Sequence, residues 1–217
     1  MLRNLVTLCL SLIAVVPPLA CQEPPTLILP PVDLGRCGLL SDAIQHRRST
    51  REFSDVPLSR QELSNILWCA GGINRPANGL RTVPSAMNRH DIDIYAFLRD
   101  GVYRYDAGAH ALRLIVAGDF RRFAGTQEFV ASAPLNLVYI SDFARLSFTD
   151  KEEEKISMAG VEAGHASQNV YLYGAAAHLG VVVRAYIDKP AVEKLLKLTP
   201  GYHIVIAQTV GHLRSGR

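Results

Sequence analysis

The segment Arg47-Arg48-Ser49-Thr50-Arg51 gathers three guanidinium groups and two hydroxyls within five residues. Guanidinium forks and hydroxyls are donors matched to phosphate oxygens. Two readings fit so short a run: an anion site, or a solvated basic helix end favoured by the helix dipole. Farther along, Pro84-Ser85-Ala86-Met87-Asn88 places a small-residue turn before an amide. Such an amide both donates and accepts, as the edge of a planar heterocycle requires. The same segment equally suits a helix cap at Ser85 with Asn88 in solvent. Ala159-Gly160, Ala163-Gly164 and Ala166-Ser167 repeat small residues at a spacing that admits dense helix packing or a flat ligand. Neither a CxxC motif nor a Cys/His cluster occurs, so no metal site is expected.

Helices and strands must hold these segments. Ser41 is placed to cap a short helix that runs into the arginine segment. A second helix follows, opened by a capping box of Ser59 and Glu62 and closed by Gly71-Gly72. Residues 74–82 read as a polar loop, and residues 83–90 as the start of a short helix. Asp100-Gly101 is a hairpin turn between strands at 92–98 and 102–105. Residues 120–131 read as helical and 135–140 as a central strand. A long helix spans residues 151–179, with charged first turns and a later part apolar nearly all round, which predicts burial. Strands at 181–186 and 203–210 flank a helix opened by Pro190. The order is that of an α+β domain, a mixed central β-sheet flanked by helices with one long buried helix.

The full sequence has 217 residues, 23 of them basic and 20 acidic, and its formal charge of +3 is too small and too evenly spread for a nucleic-acid surface. Arg3, an apolar run at 5–16, Pro17-Pro18 and Ala20-Cys21 follow the order of a signal peptide. A spanning helix needs about 20 apolar residues and this run stops short. The expected layout is a signal peptide at 1–20, a Pro-rich extended tether at 21–40 and a folded domain at 41–217. Cys21 after Ala20 is similar to a bacterial lipobox, which implies lipidation of Cys21 and membrane anchorage. Pro18 stands where such motifs carry Leu, so ordinary cleavage is the alternative. Export to the periplasm, as a soluble or anchored protein, is expected, with secretion as the other outcome. Cys37 and Cys69 then remain as either a disulfide or two plain thiols.

The collinear order of several motifs carries a resemblance. Arg47-Arg48-Ser49-Thr50-Arg51-Glu52-Phe53 comes first, then Pro57-Leu58 with a helix ending at Trp68, then Arg81-Thr82-Val83-Pro84-Ser85-Ala86. Gly101-Val102-Tyr103-Arg104-Tyr105-Asp106, Gly164-His165-Ala166-Ser167-Gln168-Asn169 and Val210-Gly211-His212 follow. This order resembles the nitroreductase family of FMN flavoproteins and, within it, the SagB-type (thiazole/oxazole dehydrogenase-like) branch, across about residues 40–213.

The resemblance implies that Arg47, Ser49 and Arg51 hold the FMN phosphate and the pyrimidine edge of the flavin, with Arg48 helping or facing solvent. Pro84, Ser85 and Asn88 would meet the isoalloxazine and ribityl groups, in family members across a homodimer interface. Backbone amides at Arg184 and Ala185 would face the flavin N5 and O4 edge, and Arg214 or Arg217 would complete the phosphate site. FMN carries the redox chemistry in such enzymes, so no catalytic side chain is assigned.

A small organic substrate and NAD(P)H as hydride donor are implied too. For an exported protein, a quinol or redox partner is the expected donor instead. The sequence departs from the family pattern at Arg184-Ala185, where an acidic residue and Gly are common, and at His90, where Gln is. It also stops at Arg217, short of the extension many members wrap around a partner, and no counterpart to the Lys-Tyr pair of azoline-forming relatives stands out. The departures at Arg184 and Ala185 motivate an alternative, an exported flavin-binding or interaction protein without turnover.

Overall fold

The computed structural model describes residues 24–35 and 37–214. The chain opens with β1 (Thr26–Ile28), α1 (Leu40–His46), α2 (Arg60–Gly71), β2 (Ile73–Arg75) and β3 (Leu80–Arg81). A meander follows: β4 (Ile92–Phe97), β5 (Gly101–Asp106) and β6 (Ala111–Ala117). Then come α3 (Glu128–Ser132), β7 (Leu135–Asp142), the 25-residue α4 (Glu152–Ala176), β8 (Leu179–Arg184), α5 (Lys189–Leu196) and β9 (Tyr202–His212).

Seven strands form the main sheet in the order β1-β6-β5-β4-β7-β9-β8, while β2 and β3 make a separate two-stranded ribbon. The α+β class and the helix-flanked sheet are as the sequence predicts. The sheet is not mixed, however, because every neighbouring pair is antiparallel. The reason lies in β9. α4 returns the chain so that β8 runs parallel to β7, and β9 then inserts between them, opposed to both.

Side-chain alternation along the strands makes two cores, as a period of two requires. Ile94, Ala96, Leu135, Leu137 and Tyr139 face α2 and α4. Tyr95, Phe97, Val138 and Ile140 face the opposite layer with Val130 of α3 and Val192 of α5. The strand β7 is buried on both faces except at its last residue, which is why it is mostly apolar, with Asn136 and Ser141 as buried polar residues that find hydrogen-bond partners.

Local signals place several elements. Ser59 Oγ accepts from Glu62 N–H at 3.2 Å while Glu62 Oε2 accepts from Ser59 N–H at 2.6 Å, the capping box of α2. Asp188 caps α5 by accepting from Ala191 N–H. Ser41, by contrast, lies inside α1, whose N-cap is Leu39 with no side-chain cap. The helix expected over 120–131 divides into a 3-10 turn at Arg121–Ala124 and α3, with an extended Gly125 between them.

Two expectations about the layout change in the described region. Part of the tether is built into the fold: residues 26–28 pair with β6 and Leu29 is 4% exposed. Nor is α4 buried all round. Its buried positions recur every three or four residues from Ala159 to Gly174, and Val161, His165 and Gln168 on the other side are exposed. The thiols of Cys37 and Cys69 are free, and burial pushes Cys69 up to about 12. Among the described residues no helix is long and apolar enough to cross a membrane. The signal segment and Cys21 lie outside the described residues, as does Arg217.

Candidate functional site

The arginine segment leaves α1 at Arg47, whose N–H donates to Ala43 O at 2.9 Å. It then crosses the outer edge of the sheet. Thr50 N–H donates to Val181 O of β8 at 2.9 Å, Ser54 N–H donates to His212 O of β9 at 2.9 Å, and Phe53 bridges to Leu213. Gly180 makes this close approach fit. A Cβ there would stand 3.1 Å from both Phe53 and Leu213 and 3.2 Å from Thr50.

Side chains are fixed from below by Tyr171 of α4. Its hydroxyl accepts from Val183 N–H at 2.8 Å and lies 2.9 Å from Ser49 Oγ. The guanidinium of Arg47 stacks over the same ring, 5.0 Å from its centre. Tyr171 therefore joins three parts of the chain: helix, edge strand and arginine segment. A cavity of about 280 Å³ opens above, lined by Arg48, Ser49, Thr50, Arg51, Glu52, Leu213 and Arg214. Arg48, Thr50 and Leu213 also border a larger cavity of about 590 Å³ that reaches His46 and His178. No ion pair among the described residues occupies Arg48, Arg51 or Arg214. Several cationic donors thus converge on one small opening, an arrangement suited to a polyanionic group.

The second sequence-predicted segment lies elsewhere on the chain. Residues 86–88 form a 3-10 turn in which Met87 and Asn88 have φ of 50° and 57°, and His90 follows at 49°. Left-handed backbone costs a non-glycine residue about 1–2 kcal/mol, so three such residues need external support. Ser85 Oγ accepts from His90 N–H at 2.7 Å, and Glu162 Oε1 of α4 accepts from Ala86 N–H at 2.6 Å. Arg145 donates to His90 O at 2.8 Å while pairing with Asp93 and Asp142. Asn88 and Met87 are exposed at the tip, and Pro84 is exposed at its base.

Glu162 and Tyr171 are nine residues apart on one helix, which at about 1.5 Å per residue separates the two sites by about 13 Å along its axis. The small cavity beside Ser85 and Glu162 shares no lining residue with the arginine cavities. Within one chain, Ser85 and Asn88 therefore do not complete the arginine cradle.

Arg184 turns away from both. Its guanidinium lies in the second core, donating to Ala124 O at 2.6 Å, Asn136 Oδ1 at 2.9 Å and Thr209 Oγ1 at 3.1 Å. Burial without a carboxylate partner pulls it down to about 10. Gly125 is needed there, because a Cβ would sit 2.0 Å from the guanidinium. The side chain of Arg184 is a fold element. Ala185 is exposed just past the end of β8, so the backbone there is the part of the pair open to a ligand.

Three contributors were not singled out by sequence. Tyr171 is one of two tyrosines, with Tyr173, that follow the polar run Ser167-Gln168-Asn169, and Glu162 is a lone carboxylate among Ala159, Gly160, Ala163 and Gly164, which is a readable signal of a buried polar role. Asp91, fully buried beneath the second segment, carries no local signal.

A cationic cradle thus lies on the edge strand of a helix-flanked antiparallel sheet in an α+β protein. The profile of the nitroreductase family matches residues 44–212, and the chain belongs to that family and is an oxidoreductase. A nitroreductase-family protein of Methanocaldococcus jannaschii is 34% identical over 172 residues, 73% of this chain and 84% of that one. A nitroreductase-family crystal structure from Ralstonia eutropha JMP134 superposes with a TM-score of 0.82 at 36% identity, covering 88% of this chain and 90% of that one. Another, from Desulfovibrio desulfuricans and in complex with FMN, shares the fold at a TM-score of 0.58 and 21% identity, covering 83% and 91%.

Proposed function

We propose that this protein is an FMN-dependent oxidoreductase acting on small organic molecules, with the FMN phosphate held by the arginine segment. The carrying observation is the convergence of Arg48, Ser49, Thr50, Arg51 and Arg214 on one opening while Tyr171 holds Ser49 and Arg47 in place. The donor set fits the cofactor. Three of these groups are guanidiniums with no ion-pair partner among the described residues, and a terminal phosphate brings about two negative charges.

Arg47, Arg48, Ser49 and Arg214 would bind the phosphate, and Arg51 the pyrimidine edge, where its charge favours electron density on the ring. Bound flavin supplies hydride or electron transfer between a donor and a small acceptor. The protein's part is to orient it and to shield the reacting face, so no side chain is assigned as a catalytic acid or base.

Completion of the site calls for a second copy. Glu162, which holds the Ser85–Asn88 loop, and Tyr171, which holds the cradle, are about 13 Å apart along α4, and within one chain the two sites share no cavity lining. A homodimer in which each loop reaches its partner's cradle supplies the missing half. Leu39, Leu40 and Ile44 of α1 are 70%, 64% and 61% exposed and Val161 of α4 is 52% exposed, an apolar surface suited to that contact.

The collinear order of the motifs from Arg47 to His212 favours the SagB-type branch. Arg3, the apolar run at 5–16 and Cys21 favour export, with lipidation of Cys21 or ordinary cleavage, and then a quinol or protein partner in place of NAD(P)H. The test is direct. Purified full-length protein should be yellow, or become so with FMN, and be reduced by a quinol analogue. Colourless protein that takes up no FMN overturns the cofactor, and flavin reduced by NADH but by no quinol overturns the donor. Bound flavin that no donor reduces would mark the chain as a carrier instead of an enzyme.

A further inference from the structure

The most unusual chemistry outside the cradle is a pair of buried carboxyls beneath the left-handed loop. Asp91 is fully buried and Glu162 is 4% exposed. The Asp91 carboxyl lies within hydrogen-bonding reach of Glu162. Asp91 Oδ2 accepts from Ser141 Oγ at 2.5 Å, whereas the buried Oδ1 has no hydrogen-bond donor among the described residues. Of the nearby cations, Arg145 pairs with Asp93 and Asp142, and Arg81 lines the small cavity beside Glu162 without an ion pair to either carboxyl. Two adjoining carboxylates in a buried site, neither of them ion-paired among the described residues, disfavour each other's ionisation.

We propose that Glu162 and Asp91 share one proton, and that this acid–carboxylate pair is the latch that holds residues 85–90 in their left-handed shape. A hydrogen on the Glu162 carboxyl gives Asp91 Oδ1 the donor it otherwise lacks. The remaining Glu162 oxygen, Oε1, stays free to accept from Ala86 N–H. Glu162 is thus a positioning residue that acts on Asn88 through the loop backbone.

The charged and titratable neighbours come from several elements. From the loop, burial, Arg81 and Arg145 lower His90 below the ordinary imidazole value against an opposing pull from Asp91, which disfavours a positive charge on that ring. From β3 comes Arg81, itself lowered by burial; from β4 comes Asp93; and from the turn after β7 comes Arg145 with Asp142. α2 presents only Ala70 and Gly71 to the cavity. Glu162 is pushed up to about 7, by burial first and by Asp91 next.

Raising the pH through that value removes the shared proton and leaves two negative charges side by side. Repulsion then breaks the latch, and the loop loses its support. Placement of Asn88 at a flavin, which rests on the cofactor reading above, becomes weaker as the pH rises.

Carbon-13 NMR of the side-chain carboxyls in the full, flavin-free chain tests the latch. One carboxyl should titrate near neutrality, and Ala86 N–H exchange should rise by about tenfold more between pH 6 and 8 than chemical base catalysis requires. Glu162→Gln keeps a donor toward Asp91 and an acceptor toward Ala86, so it should keep the amide protected and abolish the pH step. Asp91→Asn should instead lower the Glu162 titration from its wild-type value by the part that Asp91 contributes, while the larger part due to burial remains. All carboxyls titrating below about pH 5 in the wild type, or a pH step surviving in Glu162→Gln, overturns the proposal. A second readout is FMN affinity, expected to fall between pH 6 and 8 in the wild type and to stay level in Glu162→Gln. A chain that binds no FMN yet shows the neutral carboxyl overturns the cofactor reading and leaves the latch standing.

Discussion

The two ends of the buried face of α4 solve opposite problems. Around Tyr171 the chain gathers like charges at an open edge, and Arg48, Arg51 and Arg214 have no ion-pair partner among the described residues. Around Glu162 it gathers carboxyls in a closed pocket, and nearly every polar atom turns inward to hold a loop. The difference separates binding from shaping. A site for a charged ligand keeps its donors unpaired and lets the backbone carry the geometry, whereas a loop in a costly conformation uses its side chains as braces.

That contrast is open to experiment, and the largest effect belongs to the open end. Replacing Arg47 and Ser49 together by Ala removes two charge-assisted phosphate contacts, so FMN affinity should fall by about 10³-fold, roughly 4 kcal/mol, in a fluorescence titration. The fold should lose little, because only the Tyr171 contacts go with them. The buried cation is the counterexample within the same protein. Arg184→Met leaves Ala124 O without its side-chain donor and Asn136 Oδ1 with Thr209 alone, and should cost about 3 kcal/mol of stability in urea unfolding. Refolded Arg184→Met protein should still bind FMN phosphate, since its side chain faces the other core.

Two further substitutions sharpen the boundary. Tyr171→Phe deletes one hydroxyl that meets both Ser49 and Val183, which should lower stability by about 1–2 kcal/mol and weaken FMN binding about tenfold. At the closed end, Glu162 has its folded-state value raised above the ordinary 4.5 to about 7, so protonation favours the folded chain. Its contribution is complete below about pH 4.5, declines as the pH rises and is lost above about pH 7. Scanning calorimetry should record a fall of roughly 7–14 °C in Tm across that window for the wild type, with that component absent from Glu162→Gln. A Tm profile identical in both proteins would remove the closed end from the comparison.

What could be read in the sequence was whatever is local. The capping box at Ser59, the Asp100-Gly101 hairpin and the arginine run each declare themselves within a few residues. Long-range pairing does not. Tyr171 meets Ser49 across 122 residues, and Glu162 meets Ala86 across 76. The edge strand β1 was hidden among prolines because its pairing partner β6 supplies the reason for its shape. Asn88 was found by its type, but its left-handed turn was not, since the energy that holds it comes from Glu162 and not from residues 83–90. Arg184 shows the converse failure: an arginine near a predicted ligand edge looks functional until Gly125, Asn136 and Thr209 are known to surround it.

The route of the arginine segment also bears on how the edge of the sheet is covered. β8 is the last strand of its sheet, and in that position Val181 and Val183 turn backbone groups outward. An unprotected row of this kind is a template on which other chains add strands. Here Thr50 caps Val181 O and Tyr171 caps Val183 N–H, so the residues that build the binding cradle also close the sheet to strangers. Ligand recognition and resistance to aggregation are therefore one inheritance in this fold, and a lesion that frees the segment from the edge endangers both together.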